Sequence, residues 1–165
     1  MRHILHTIGY EGASIADFLD TLVAVGVAQV LDIRDVPISR KPGFSKRSLS
    51  AAAASRGIVY EHLKDLGDPK AGREAMRRGD YAGFLEIYSR HLATDWAQRA
   101  LARAVELASE RVSVLLCFER SPKECHRSIV ASAMKAAAGF DVRELGVKNG
   151  RGAARAPTAL AQQSA

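Results

Sequence analysis

Residues 112–127, VSVLLCFERSPKECHR, are the stretch from which the rest of the chain is interpreted. The first six residues are apolar or small and predict a buried β-strand. A short polar loop containing Glu119 follows, and the stretch ends on Cys125, His126 and Arg127. Since a buried strand here delivers a thiol and a carboxylate to its end, directly before ionisable residues, the stretch indicates a site rather than packing alone.

The loop also carries a helix-start signal. Ser121, the proline after it and Glu124 match an N-cap, a first-turn proline and a capping box, which predicts a helix running to Gly139. Cys125 would then lie in the first turn, where the helix dipole and Arg127 favour a thiolate.

The two remaining groups of the stretch have different expected roles. His126 would point about 100° away from Cys125 around the helix, which suits an acid or base acting on a substrate. Cys117 ends an apolar strand, and its composition favours an inert core thiol. A structural role for Cys125, as a small buried anchor of the helix, is equally open.

Strand and helix patterns alternate along the whole chain. Strands are predicted at residues 3–9, 28–34, 58–62, 112–117 and 141–145. Helices are predicted at residues 14–26, 45–57, most of 73–109, and 121–139. This order predicts a single α/β domain over residues 1–147, with a mostly parallel open sheet of about five strands and helices on both faces. Residues 148–165 have no periodicity and predict a disordered basic tail.

Composition places the chain among soluble globular proteins. Of its 165 residues 47% are hydrophobic and 25% charged, which is ordinary for one soluble domain. No apolar run approaches the roughly 18 residues of a membrane span, and the start lacks a secretory signal. We therefore expect a cytoplasmic protein without a membrane partner, whose two cysteines are thiols or ligands rather than a disulfide. The oligomeric state stays open.

The net charge of +6 is unevenly distributed. The tail carries three basic residues and no acid, and residues 34–47 carry five basic residues against one aspartate. A basic balance favours an anionic small molecule or nucleic acid as partner, although a solvated basic surface is the simpler explanation for the tail.

Polar residues cluster where the predicted strands end. Because ligands of parallel sheets bind at the carboxyl ends of the strands, these groups are expected to meet at one edge. They are Thr7, Gly9, Tyr10, Asp32, Arg34, His62, Cys117 and Glu119.

Asp32 and Arg34 stand two residues apart on one strand, so their side chains share a face. One interpretation is a local ion pair. In the other interpretation Arg34 binds an anion, because its planar guanidinium can form two parallel hydrogen bonds with a phosphate or carboxylate. Asp32 then orients Arg34 or acts as a base. A buried Asp32 close to Glu119 would have a raised pKa, because neighbouring carboxylates repel.

A metal site is a further alternative, with Cys117, Cys125, His126 and His62 as ligands. The spacing of the cysteines is not that of a zinc knuckle, and the chain contains no C-x-x-C motif. On this basis the sequence assigns neither a metal nor a cofactor.

Four blocks of the chain resemble the domain of unknown function family DUF488. They are TIGYEG-S, LDIRDVPISRKPGFS, GIVYEHLKDLG and LLCFE followed by CHRSIVA, and they appear in that order. The resemblance implies an α/β fold with a polar cluster and no settled reaction. The matching positions are Thr7, Gly9, Ser14, Asp32, Arg34, Pro37, Ser39, Gly67, Cys117, Glu119, Cys125, His126 and Arg127.

A second, weaker likeness is to rhodanese-type sulfurtransferases and related phosphatases. LDIRD, VLLC, HRS and AGFDVREL follow the order of that class. The interval from Cys117 to Arg127 is longer than the active loop of that class. It also holds Glu119, which would repel an anionic substrate.

Three function hypotheses follow. In the first, an enzyme acts on an anionic, nucleotide-like or nucleic-acid-derived substrate. Its catalytic residues are drawn from Asp32, Glu119, His126, Cys117 and Cys125. Its substrate-binding residues are drawn from Thr7, Gly9, Tyr10, Arg34, Ser39, His62 and Arg127. In the second, Cys117 is the nucleophile of a sulfur or phosphoryl transferase. In the third, the basic loop and tail form a non-catalytic nucleic-acid-binding module.

Overall fold

The computed structural model describes residues 2–148 and shows one α/β domain built on a five-stranded sheet. All four pairings between strands are parallel, and the spatial order is β3-β2-β4-β1-β5. The strands are β1 (Ile4–Gly9), β2 (Gln29–Asp32), β3 (Val59–His62), β4 (Ser113–Cys117) and β5 (Asp141–Leu145). The predicted parallel sheet of about five strands is confirmed, and strand boundaries differ from prediction by no more than two residues.

Six α-helices connect the strands, and they cover both faces of the sheet as predicted. They are α1 (Ile15–Ala24), α2 (Lys46–Ala54), α3 (Lys70–Arg77), α4 (Tyr81–Leu92), α5 (Asp95–Glu110) and α6 (Arg127–Ala138). Among residues 2–148 no helix combines the length and apolarity needed to cross a bilayer. Apart from Lys148, the tail predicted to be disordered lies outside the described residues.

Two hydrophobic clusters, one on each face, hold the layers together. Side chains of a strand alternate between faces, so neighbouring apolar residues serve different clusters. On β4, Leu115 packs with α4, α5 and α6, whereas Val114 and Leu116 pack with α1 and α2. This double-sided burial explains why the central strands are continuous apolar runs.

The order of the strands reverses at the centre of the sheet. The chain moves from β1 past β4 to β2 and β3, then returns to β4 and crosses β1 to reach β5. Loops leaving β1 and β4 therefore depart in opposite directions, which opens a crevice at the carboxyl edge.

The helix predicted from Ser121 is wrong in its start. Residues Pro122–Glu124 form only a 3₁₀ turn, Ser121 makes no side-chain cap, and Cys125 is extended at φ −139°. The α-helix begins at Arg127, with His126 as its N-cap. The extended Cys125 reaches back toward β4, so a tertiary contact overrides the local capping signal. Cys125 accordingly lies before the helix and not in its first turn.

Gly9 lets the loop after β4 close against β1. A methyl group at this position would lie 1.8 Å from the carbonyl oxygen of Glu119 and 2.9 Å from the amide nitrogen of Arg120. The backbone of the loop thus occupies the space that any side chain would need.

We expect Gly9→Ala to lower the free energy of unfolding by about 1–3 kcal/mol, because backbone atoms must move to admit the methyl group. Gly146→Ala is the matched control, since no non-neighbouring atom of residues 2–148 lies within 4 Å of its added methyl group. Urea unfolding of both variants measures the difference. Equal stability of the two variants would contradict the close approach at Gly9.

Candidate functional site

A cavity of about 890 Å³ opens at the carboxyl edge of the sheet. Its walls come from the segments that follow β1, β2, β3 and β4, as the convergence of strand ends predicts. Lining residues include Tyr10, Arg34, Ser39, Asp68, Arg73, Cys117, Glu119, Cys125 and His126.

Asp32 and Arg34 form a buried ion pair beneath this cavity. Arg34 Nε and Nη2 donate to the two carboxylate oxygens of Asp32 at 2.9 and 2.7 Å. The hydroxyl of Tyr60 donates to the same carboxylate. Arg34 Nη1 donates to the hydroxyl of Tyr10 at 3.2 Å and to the carbonyl of Phe44 at 2.7 Å.

This pairing favours the local interpretation of Asp32 and Arg34. Burial opposes the charged form of Arg34, yet the hydrogen bonds and charge of Asp32 hold the pKa of Arg34 above its ordinary value. Burial, followed by the charge of Asp32, raises the pKa of Tyr60. Every guanidinium nitrogen of Arg34 has a partner inside the protein, so the pair fixes the loop after β2 in place.

Arg127 holds the loop after β4 without an ion pair, and its Nε has no hydrogen-bond partner among residues 2–148. Its side chain is 1% exposed, and Nη1 donates to Cys117 Sγ at 3.0 Å and to the carbonyl of Glu119. Nη2 donates to the carbonyl of Arg120 at 2.9 Å. Burial lowers the pKa of Arg127, opposed by the charges of Glu144 and Glu119. The guanidinium thus lies beneath the loop and donates hydrogen bonds to its backbone carbonyls.

The two cysteines are joined, which corrects the expectation of two separate thiols. Cys117 and Cys125 form a disulfide whose Cα atoms lie 7.2 Å apart. Cys117 at the end of β4 and Cys125, two residues before α6, meet at one edge, because the loop between them folds over Arg127. The sequence separation of eight residues did not reveal this contact.

His126 has one nitrogen committed and one facing sulfur. Its Nε2 lies 2.7 Å from the carbonyl oxygen of Ile33, and a carbonyl only accepts, so Nε2 carries the hydrogen. Nδ1 is then unprotonated and lies 3.6 Å from Cys125 Sγ. Burial lowers the pKa of His126 to about 4, so the ring is neutral at physiological pH. The structure therefore brings His126 to Cys125, whereas the sequence placed them apart.

Asp68 is a cavity residue that the sequence analysis missed. It follows β3, is buried, and its Oδ1 has no hydrogen-bond partner among the described residues. Burial raises the pKa of Asp68 to about 7, with Arg73 opposing the shift and Glu119 and Asp35 adding to it. Burial likewise raises the pKa of Glu119, although Arg127 opposes it.

The other predicted site residues divide into two groups. Tyr10 and Ser39 line the cavity. Thr7 is buried within β1, Gly9 packs under the loop after β4, and His62 lies on another surface with Nε2 2.8 Å from the carbonyl of Arg34. The latter three support the architecture, and the proposed catalytic and binding roles of all these residues stay predictions.

Several further cationic residues line the cavity; Arg40 belongs to the basic 34–47 loop noted in the sequence, whereas Arg73, Arg77 and Lys123 were missed. Arg40, Arg77 and Lys123 are exposed at its rim, and Arg73 is half-buried and pairs with Asp35 at 2.9 Å. The available signal was positional, since each follows a strand whose carboxyl end faces the crevice. Two of them lie on or beside α3, which the sequence analysis treated as scaffold.

A parallel α/β sheet with a polar crevice at its central strand ends defines the class of protein. The family model described as domain of unknown function DUF488 matches residues 14–134. The chain therefore belongs to the DUF488 family, which confirms the resemblance seen in the sequence. No curated protein and no solved structure matches the chain.

We expect Asp32→Asn to reduce the free energy of unfolding by about 3–5 kcal/mol, because it leaves the buried charge of Arg34 uncompensated. The exposed pair of Arg143 and Asp141 provides the control, and Asp141→Asn should cost less than about 1 kcal/mol. Chemical denaturation at neutral pH compares the two. A similar small loss in both variants would argue against an anchoring role for the buried pair.

Asp68 should make stability depend on pH. Its folded-state pKa of about 7 lies above the ordinary value of 3.8, so the folded state binds more protons between these values. The free energy of unfolding therefore falls as pH rises through this interval. Asp68→Asn should gain stability relative to wild type between about pH 4 and pH 8. Parallel pH profiles of the two proteins would show that Asp68 titrates normally.

Proposed function

We propose that this chain is an enzyme that binds a nucleotide-like anion in the carboxyl-edge cavity and uses a buried carboxyl group as its acid or base. The observation that carries the proposal is the composition of the cavity wall. Cationic side chains stand at its rim, apolar side chains stand beside them, and carboxyl groups with raised pKa lie deeper.

The rim cations support an anionic ligand. Arg40, Arg77 and Lys123 are exposed, and within residues 2–148 none of the three forms a salt bridge or a side-chain hydrogen bond. Their charge is available to a phosphate or carboxylate, unlike that of Arg34 and Arg127. This shifts anion binding from the two arginines that the sequence favoured to the residues around the opening.

The apolar rim supports a ligand with a flat or apolar part. Ile38 is 75% exposed and Phe118 is 45% exposed, and both line the cavity together with Tyr81. Aromatic side chains stack on nucleobases in a sequence-tolerant way. A ligand that carries both an anionic group and a ring system would use both kinds of rim residue.

The buried carboxyls support acid–base chemistry. A group with a pKa near 7 exchanges protons readily at physiological pH, which is the property a general acid or base needs. Asp68 meets this condition and lines the same cavity. Glu119 lies in the same wall, and its charge contributes to the raised pKa of Asp68.

Binding of adenosine monophosphate, ribose 5-phosphate, adenosine and inorganic phosphate tests the ligand class, measured by NMR titration. We expect adenosine monophosphate to bind at least about tenfold more tightly than ribose 5-phosphate or adenosine, because only it offers both parts. The double change Arg77→Ala and Lys123→Ala should weaken binding of both phosphorylated organic ligands. Ile38→Ala should weaken adenosine monophosphate more than ribose 5-phosphate.

Arg99→Ala is the control, since Arg99 is exposed on α5 and does not line the cavity. Equal binding of adenosine monophosphate by the rim variants and by wild type would refute the ligand class. Once a turned-over substrate is found among such anions, Asp68→Asn should abolish turnover while binding persists. Undiminished turnover would remove Asp68 from the mechanism.

A Cys117-dependent sulfurtransferase is the second candidate, favoured by the hydrogen bond from Arg127 Nη1 to Cys117 Sγ. After reduction of the disulfide, the Cys117 thiolate would attack the outer sulfur of thiosulfate, forming a persulfide and releasing sulfite. Cyanide would then remove that sulfur as thiocyanate and restore the thiolate. Alkylation of the reduced protein by iodoacetamide at neutral pH tests this candidate function. An unreactive Cys117 would contradict it.

A further inference from the structure

Three potential metal ligands converge in the wall of the cavity. The sulfurs of Cys117 and Cys125 and a carboxylate oxygen of Glu119 all lie within 4.8 Å of one another. The two sulfurs come from opposite ends of the loop, and the carboxylate comes from its middle. Thiolate and carboxylate are both ligands that Zn²⁺ accepts in proteins.

His126 adjoins this cluster without belonging to it, because among residues 2–148 only Cys117, Glu119 and Cys125 have ligand atoms that all lie within 4.8 Å of one another. Its Nε2 donates to Ile33 at 2.7 Å, and its Nδ1 lies 3.6 Å from Cys125 Sγ. Three protein ligands leave a fourth position of a tetrahedral site open to water or to a bound molecule.

The charges around the centre also fit a divalent cation. Two thiolates and one carboxylate bring three negative charges. A divalent cation leaves one negative charge, which the buried guanidinium of Arg127 compensates at 3.0 Å from Cys117 Sγ. The backbone N–H of Arg127 also donates to Cys125 Sγ at 3.4 Å. Both contacts would stabilise thiolates.

We propose that, when the disulfide is reduced, Cys117, Cys125 and Glu119 bind a divalent cation of the Zn²⁺ class. Reduction transfers two electrons and two protons from two small thiols, which become a disulfide, to the two cysteine sulfurs. Binding then releases the two cysteine protons to solvent as both thiolates ligate the metal. The disulfide is the oxidised, metal-free form of the same site.

This ligand set replaces the one considered from the sequence. His62 belongs to a different surface and contacts the carbonyl of Arg34, and His126 lies outside the cluster, so Glu119 joins the two cysteines as the third ligand. The inference stands independently of the proposed nucleotide-like ligand, because metal binding is measured without substrate.

Titration of the reduced, full-length protein with Co²⁺ and Zn²⁺ tests the site. We expect one equivalent of Co²⁺ to give tetrahedral d–d bands and thiolate-to-metal charge transfer, which Zn²⁺ then displaces. The disulfide form of the same protein is the first control and should show neither spectrum. Glu119→Gln should weaken Zn²⁺ affinity at least about tenfold.

Glu124→Gln is the matched control, since Glu124 lines the same cavity and does not belong to the cluster. This control should retain wild-type affinity. Zn²⁺ should also protect both cysteines of the reduced wild type from alkylation. This measurement tests metal binding by the cysteines even if a variant fails to fold. The proposal is overturned if reduced wild-type protein binds no more metal than the disulfide form, or if Zn²⁺ leaves the cysteines unprotected.

Discussion

The buried guanidinium of Arg127 is the constraint on which the cavity depends. It lies beneath the loop after β4 and donates to Cys117 and to the carbonyls of Glu119 and Arg120. These bonds hold Glu119 and the two sulfurs in the cavity wall and bring Cys125 back to the strand end. Gly9 completes the arrangement, because only a residue without a side chain admits the loop against β1. Arg34 plays the equivalent part for the loop after β2.

This architecture separates two roles that arginines commonly share at an anionic site. Arg34 pairs its buried charge with Asp32, whereas Arg127 directs its Nη donors to Cys117 and to two loop carbonyls. The exposed cations at the rim keep their donors for a ligand. Arg34 and Arg127 thus hold the loops that form the cavity wall, and the exposed cations at the rim are free to bind an anion. The carboxyl groups lie between these two sets.

Much of the fold was predictable because its signals are local. Central strands such as β4 are short apolar runs between polar segments, and Gly139 ends α6 with φ of +73°, as a C-terminal glycine does. The edge at which the polar residues meet followed from parallel topology. The start of α6 was mispredicted, because the segment after Ser121 forms only a 3₁₀ turn, without a side-chain cap, before Cys125 extends toward β4.

The details of the site depended on distant contacts. Arg34 Nη1 donates to Tyr10 and Phe44, which lie 24 and 10 residues away in sequence, and no spacing rule identifies these partners. Asp68 stood in an ordinary turn sequence, and its pKa near neutrality comes from burial, with the charges of Glu119 and Asp35 adding to it. A crystal structure of the protein with adenosine monophosphate tests the division of roles most directly. We expect the phosphate to lie against Arg40, Arg77 or Lys123 while Arg34 and Arg127 keep their internal hydrogen bonds, and a phosphate bound to Arg34 or Arg127 would contradict it.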